Sequence, residues 1–147
     1  MPDILHKVRA NASSPLKTYA ALTTCEGLAG WWTRDTTGDN RVGGVMKFRF
    51  GGGGFDMEVL DLDPARRVRW LVVDGPQEWI GTRISFELRP DDDDTVVLFR
   101  RQDWKAPVEF MHHCSTKWAM FLISLKSPLE TGAGQPWPQD VKVDDVH

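Results

Sequence analysis

The feature of this sequence that most constrains its fold is a long amphipathic segment towards the C-terminal end, Val108–Lys126. At about 100° per residue, its bulky apolar side chains fall within one arc of a helix, about 120° wide. The arc consists of Phe110, Met111, Cys114, Trp118, Phe121, Leu122 and Leu125. A stripe this wide needs a large apolar partner surface, which residues 43–104 are placed to supply. Because a long helix on a curved sheet often leaves a cavity beneath it, we expect a ligand-binding cavity there.

The residues before this helix predict mainly β-strands. A first strand over Ile4–Ala12 precedes two short helices, Pro15–Thr23 and Glu26–Trp32. A polar loop over Thr33–Arg41 comes next, and alternating apolar and polar side chains then predict five further strands. These strands are Val45–Phe50, Phe55–Leu62, Val68–Val73, Trp79–Leu88 and Thr95–Asp103. Because the links between them are short, we expect hairpins and a six-stranded antiparallel sheet.

Two prolines mark the ends of the long helix. Pro107 suits its first turn, whereas Pro128 lacks a backbone donor and predicts a kink or a stop. Gly132 is the natural C-terminal cap if the helix continues past that proline. Residues 133–147 are expected to pack as an extended tail. With no internal repeat and no linker, we expect the whole chain, residues 1–147, to be one domain.

The composition argues against several classes of partner and compartment. The net charge is −3 and no basic run is present, so nucleic acid is not an expected partner. The N-terminal segment Met1–Ala10 lacks the basic and apolar regions of a signal peptide. No stretch of about 18 apolar residues predicts a membrane span. The two cysteines, Cys25 and Cys114, do not make a disulfide framework, and together these features predict a cytoplasmic location.

Three short motifs suggest chemistry, and in each the spacing favours a structural role. His112 and His113 lie about 100° apart on a helix and outside the apolar arc, whereas helical metal pairs use i, i+4 spacing. Gly51–Gly54 lacks the Lys-Ser or Lys-Thr of a phosphate loop, and Asp91–Asp94 lacks the alternating ligands of a calcium loop. We therefore expect surface or loop-contacting histidines, two turns, and neither a metal site nor a cofactor.

No catalytic residue is assigned from the sequence. No Ser/His/Asp or Cys/His set can be placed together, and Cys114 has no histidine predicted beside it. Arg101 is the most informative polar candidate, but both faces of its strand carry apolar residues, so alternation leaves its direction open. If Arg101 points inward, it holds an anionic ligand head or pairs with a buried acid. Thr82, on an otherwise apolar face, is a second candidate polar contact.

Four motifs occur in the order and spacing of a known family. They are LTTCEGLAGWWT (Leu22–Thr33), VGGVMKF (Val42–Phe48), EVLDLDPARRVRW (Glu58–Trp70) and SLKSPLETGAG (Ser124–Gly134). With the order of predicted elements, they resemble the heat-shock-protein ATPase activator homologue family. This family lies in the START-like (SRPBCC) superfamily, which includes the birch-pollen allergen and polyketide cyclase relatives. Pro128 departs from the family, whose members usually carry a helix-compatible residue there.

The resemblance implies an α+β helix-grip fold. In that fold a six-stranded curved antiparallel sheet wraps around the long C-terminal helix, and two short helices follow the first strand. It also implies an apolar cavity between sheet and helix, and members bind or transform lipids, polyketides, sterols and other hydrophobic molecules. We expect these side chains to line it: Trp32, Met46, Phe48, Met57, Trp70, Thr82, Ile84, Phe86, Phe99, Arg101, Met111, Cys114, Trp118, Phe121 and Leu122.

Three functions stay open at this point. Binding of a hydrophobic or amphipathic small molecule is favoured over an enzyme of the polyketide cyclase or aromatase kind, for which fold analogy is the only support. The family resemblance also suggests a co-chaperone with a chaperone partner. Met120 and Ile123 lie outside the apolar arc and suit a partner protein, a homodimer contact or packing on the tail.

Overall fold

The computed structural model describes residues 3–131 and Pro136. Its strands are β1 (Ile4–Ala10), β2 (Asp35–Gly38), β3 (Val45–Phe50), β4 (Gly53–Asp63), β5 (Arg67–Asp74), β6 (Arg83–Asp91) and β7 (Asp94–Gln102). Its helices are α1 (Pro15–Thr23), α2 (Cys25–Ala29) and α3 (Glu109–Thr131). The predicted cap at Gly132 and the predicted tail over residues 133–147 lie outside the described residues, apart from Pro136.

Within the described residues, seven strands form one antiparallel sheet in the order β1-β7-β6-β5-β4-β3-β2. Each strand from β2 to β7 pairs with its neighbour in sequence, and β1 closes the order by pairing with β7. The β4–β5 pairing shifts register between Asp56 and Met57 and again between Val59 and Asp61. Such bulges bend a strand and increase its twist. The sheet, the two short helices and the long C-terminal helix confirm the predicted helix-grip fold.

The predicted strand count was one too low, because β2 falls within the segment predicted to be a loop. Its sequence, Asp35-Thr-Thr-Gly38, carries no large apolar side chain, so alternation gives no signal there. The strand is short and lies at the edge of the sheet, where Thr36 is its one buried residue. Pairing with β3 therefore creates this strand, and its own sequence does not predict it.

The predicted start of the strand Trp79–Leu88 was also wrong. β6 begins at Arg83, and the residues before it form a turn in which the N–H of Thr82 donates to the carbonyl oxygen of Trp79 at 2.9 Å. Ile80, which strict alternation would place on one face with Ile84 and Phe86, is 40% exposed. Trp79 is buried all the same, so this turn brings a tryptophan into the interior without strand pairing.

The two short helices begin at side-chain caps. The Ser14 hydroxyl accepts from the N–H of Lys17, and the Thr24 hydroxyl accepts from the N–H of Gly27, which satisfies donors that an uncapped helix leaves free. α1 has the predicted bounds, whereas α2 is shorter than the predicted Glu26–Trp32 and ends at Ala29. The chain then turns, and Trp31 and Trp32 enter the core from this turn.

The long helix continues through Pro128 to Thr131, so of the predicted kink or stop at that proline the stop does not occur. Leu125 and Leu129 are buried on either side of it, and this burial holds the last turn in place. The predicted apolar arc faces the sheet, with Cys114, Trp118, Phe121 and Leu122 buried. Lys117 also lies on the buried side, although it was not expected there.

Candidate functional site

Aromatic rings from the sheet and α3 meet at the centre of the molecule, around Trp32. The Trp32 ring lies 4.3 Å from that of Phe48 and 4.8 Å from that of Trp118, measured between centroids. It also stacks on Trp70 at 6.0 Å, with 13° between the ring planes. Offset and tilted pairs at these distances are favourable for aromatic rings. We call this group the aromatic cluster.

A cavity of about 180 Å³ lies beside the aromatic cluster, between the first half of α3, the β3–β4 hairpin and the loop joining β5 to β6. It is lined by Trp32, Phe50, Gly53, Gly54, Phe55, Pro76, Trp79, Phe110, His113, Cys114, Lys117, Trp118 and Phe121. Most of these side chains are aromatic or aliphatic, as is typical of sites that take apolar ligands.

Three groups of α3 give the cavity a polar edge. His113 is half-buried and stacks on Phe110 with 5.9 Å between ring centroids. Lys117 is 6% exposed, with its amine 5.2 Å from the centroid of Phe121. Cys114 accepts a hydrogen bond from the indole N–H of Trp79 at 3.3 Å. Burial raises the pKa of Cys114 to about 11, so its thiol is protonated at neutral pH and is a poor nucleophile.

Arg101 is buried behind the cavity, on the far side of Trp79. Its side chain is fully inaccessible, which settles the direction that the sequence left open: it points inward. Its guanidinium carbon lies 3.7 Å from the ring centroid of Trp79, and one terminal nitrogen donates to the Thr82 hydroxyl at 3.1 Å. Burial lowers the pKa of Arg101 to about 9, so the guanidinium is still charged at neutral pH.

The predicted lining residues divide into four groups. Trp32, Cys114, Trp118 and Phe121 line the cavity. A second group forms the packed core next to it: Met46, Phe48, Met57, Trp70, Ile84, Phe86, Phe99 and Leu122. Thr82 and Arg101 lie behind Trp79. Met111 lies elsewhere, in a surface groove beside Ile4 and Pro107.

Other lining residues were missed by sequence reasoning. Trp79 was assigned to a strand, and that assignment gave no sign that it lines the cavity. Phe50 and Phe55, which also line it, belong to the hairpin around the glycine run Gly51–Gly54. His113 was expected outside the cavity, but it lines it, while His112 is exposed. The helical wheel places His113 outside the arc but on the side of Phe110, and it stacks on Phe110 at the cavity wall. Among residues 3–131, no group of three or more His, Cys, Asp or Glu is placed to hold a metal ion.

Comparison with known families identifies the chain. Residues 12–130 match the model of the family described as activator of Hsp90 ATPase homolog 1-like protein. The chain belongs to this family. The resemblance inferred from the four sequence motifs is thereby confirmed. No match was found among curated proteins.

Solved structures agree with this family. The Aha1 dimer from Colwellia psychrerythraea is 46% identical, with a TM-score of 0.84 over 91% of this chain and 100% of that one. SSP2350 from Staphylococcus saprophyticus is 17% identical, with a TM-score of 0.75 over 90% and 95% of the two chains. CalU16 from Micromonospora echinospora is 20% identical, with a TM-score of 0.68 over 86% and 76%. The last two show the fold alone. Within residues 3–131, no helix of this family member is long and apolar enough to span a membrane.

Proposed function

We propose that the protein binds a small hydrophobic or amphipathic molecule in the cavity between the sheet and α3. The observation that carries the proposal is the cavity itself: about 180 Å³ of space lined mainly by aromatic rings, next to a core of buried apolar side chains. The side chains around an empty apolar space lose van der Waals contacts, and a bound ligand restores them. The presence of such a space therefore favours a binding role.

The cavity volume limits the ligand. Cavities that enclose drug-sized molecules measure about 300–1,000 Å³, whereas an engineered apolar cavity of about 150 Å³ binds benzene. At about 180 Å³, this cavity accommodates one aromatic ring or a short alkyl chain. A sterol would require the surrounding side chains to move apart. We therefore propose a ligand with a small apolar body.

The test uses toluene as a neutral probe and isothermal titration calorimetry as the readout. For the unmodified chain we expect saturable binding with a dissociation constant of about 0.1–1 mM, equivalent to roughly −5 kcal/mol. Cys114→Leu adds bulk to the cavity wall and should abolish this binding. Cys25→Leu is the matched control, because Cys25 lies at the start of α2 and does not line the cavity. Absence of toluene binding by the unmodified chain, or equal binding by both variants, would contradict the proposal.

The relative from Colwellia psychrerythraea supports a further proposal, that this chain forms a homodimer. That relative is a dimer and is 46% identical to this chain. Multi-angle light scattering after size-exclusion chromatography at several concentrations should give a mass of twice 16.7 kDa. A monomer mass at all concentrations would refute it. The cytoplasmic location inferred from the sequence stays a prediction.

A co-chaperone role is the alternative that the family name supports. Ile123, 60% exposed on α3, is an apolar residue available to a partner protein. If this role holds, the chain should stimulate the ATPase of an Hsp90-type chaperone, and Ile123→Glu should weaken the stimulation. No stimulation at saturating concentration would remove this alternative.

A further inference from the structure

Three buried hydrogen-bond donors without acceptors lie together behind the cavity. Within the part of the chain that the structure describes, Nε and Nη1 of Arg101 and the indole Nε1 of Trp104 have no hydrogen-bond partner. Both side chains are fully buried, and the guanidinium carbon lies 5.3 Å from the ring centroid of Trp104. Buried donors are almost always satisfied in native proteins, and each one left free is costly. An acceptor at this place would therefore be bound strongly.

The charge of the group indicates what kind of acceptor fits. Arg101 forms no ion pair with any described carboxylate, and its hydrogen-bonding partner, Thr82, is neutral. The Thr82 hydroxyl in turn donates to the carbonyl oxygen of Trp79, so it stays fixed while it accepts from Arg101. The faces of Trp79 and Trp104 stabilise the cation but cannot accept the remaining N–H bonds. A planar carboxylate matches both the charge and the fork of a guanidinium.

The donors are one side chain away from the cavity. Trp79 lines the cavity and also stacks on the guanidinium. Its indole N–H bonds to Cys114, a second lining residue that is close enough to Arg101 for the two groups to affect each other's pKa. The loop that carries Trp79 is flanked by Gly75 and Gly81, which have φ values of +138° and +88°. For the cavity to reach the donors, the Trp79 ring has to be displaced from between them.

We propose that Arg101 and Trp104 form an anion subsite at the back of the cavity and that the ligand is a small apolar carboxylate. This inference rests on the proposed function, because it assigns the ligand class of the same cavity. The apolar body lies against the aromatic cluster, and the carboxylate accepts from the guanidinium and the indole N–H. Arg101 makes the site prefer carboxylates over neutral ligands, because a neutral ligand leaves the buried guanidinium charge uncompensated.

The test compares 4-phenylbutanoate with its neutral analogue, 4-phenylbutanamide, by calorimetry at neutral pH. In the unmodified chain the acid should bind about tenfold to a hundredfold more tightly than the amide, as expected for charge-assisted hydrogen bonds. Arg101→Met should abolish this preference, so that the acid and the amide bind equally. Arg100→Met is the matched control, because Arg100 is the next residue of β7 and is exposed.

A second variant keeps the proposal testable if Arg101→Met does not fold. Trp104→Phe keeps an aromatic face and removes the indole donor, so it should weaken acid binding about threefold to tenfold and reduce the preference for the acid over the amide. Equal binding of acid and amide by the unmodified chain overturns the anion subsite, as does an acid preference that persists in Arg101→Met. If toluene binds in either case, the proposed function still stands. If toluene, acid and amide all fail to bind, the proposed function fails as well.

Discussion

The buried charge of Arg101 makes a prediction about stability that runs against the usual effect of core substitutions. Replacing this residue with methionine should stabilise the ligand-free protein. Burial lowers the pKa of Arg101 to about 9, and this lowering corresponds to about 5 kcal/mol at about 1.4 kcal/mol per pKa unit. Stacking of the guanidinium on Trp79 offsets about 2 kcal/mol of this cost, and the hydrogen bond to Thr82 offsets about 1 kcal/mol. The charged side chain therefore lowers the free energy of unfolding of the ligand-free protein by about 1–3 kcal/mol.

Methionine suits the test because it is of similar length, flexible and apolar. It leaves the Thr82 hydroxyl bonded to the carbonyl oxygen of Trp79, so the substitution deprives Thr82 of no hydrogen-bond acceptor. The assay is equilibrium unfolding in urea at neutral pH, followed by tryptophan fluorescence, in a buffer free of carboxylates. Arg101→Met should raise the free energy of unfolding by about 1–3 kcal/mol, which corresponds to roughly 3–10 °C in Tm.

Arg100→Met should stay within about 0.5 kcal/mol of the unmodified chain, as expected for an exposed site. If Arg101→Met is instead less stable by more than about 1 kcal/mol, Arg101 is satisfied in the folded protein. An unpaired Arg101 cation in the ligand-free protein would then be refuted, and acid and amide binding by the Trp104→Phe variant would still decide the anion subsite.

Three other substitutions test the packing and the charge arrangement. Trp32→Ala removes the centre of the aromatic cluster and should lower the free energy of unfolding, measured by urea denaturation, by about 3–5 kcal/mol. A loss below about 1 kcal/mol would contradict the central role of this ring. Gly54→Ala places a Cβ against the carbonyl oxygen of Phe48 at a φ of +157° and should therefore lower the melting temperature. The Cβ of Gly53→Ala meets no atom within 4 Å, so this variant should keep the melting temperature of the unmodified chain. Equal melting temperatures for the two variants would contradict this difference. The pKa of Asp94 is lowered by the backbone N–H of Ala12 and by Arg9, so its contribution to stability is complete above about pH 4 and is lost as the pH falls further. Asp94→Asn should therefore flatten the stability profile below about pH 4, and an unchanged profile would show that this carboxylate is not a source of acid sensitivity.

The fold was predictable because local patterns and global packing agree over most of the chain. The apolar arc of α3 and the alternation in Val45–Phe50 are strong periodic signals, and the structure confirms both elements. β2 carries no such signal, because an edge strand of polar residues is created by its neighbour. The turn at Trp79 is likewise determined by a neighbouring element, because Trp79 is buried against Cys114 of α3 and the local sequence does not predict this burial.

The site was harder to predict than the fold. A cavity is the space that side chains from distant segments fail to fill, so periodicity identifies the faces that meet but not where the gap lies. Met57 and Phe99 have the character expected of lining residues and belong to the packed core. For Arg101, apolar residues on both faces of β7 hid its direction, and only its burial resolves it.

Binding of an apolar ligand in the cavity can be followed at the tryptophan indole N–H groups, one of which lies at the cavity wall. In a ¹H–¹⁵N spectrum, titration with toluene should shift the Trp79 indole signal saturably, because its N–H bonds to Cys114 at the cavity wall. The Trp31 indole donates to the carbonyl oxygen of Ala21, away from the cavity, and should move little. No saturable shift at Trp79 up to the solubility limit of toluene, or equal shifts at Trp31, would contradict the account.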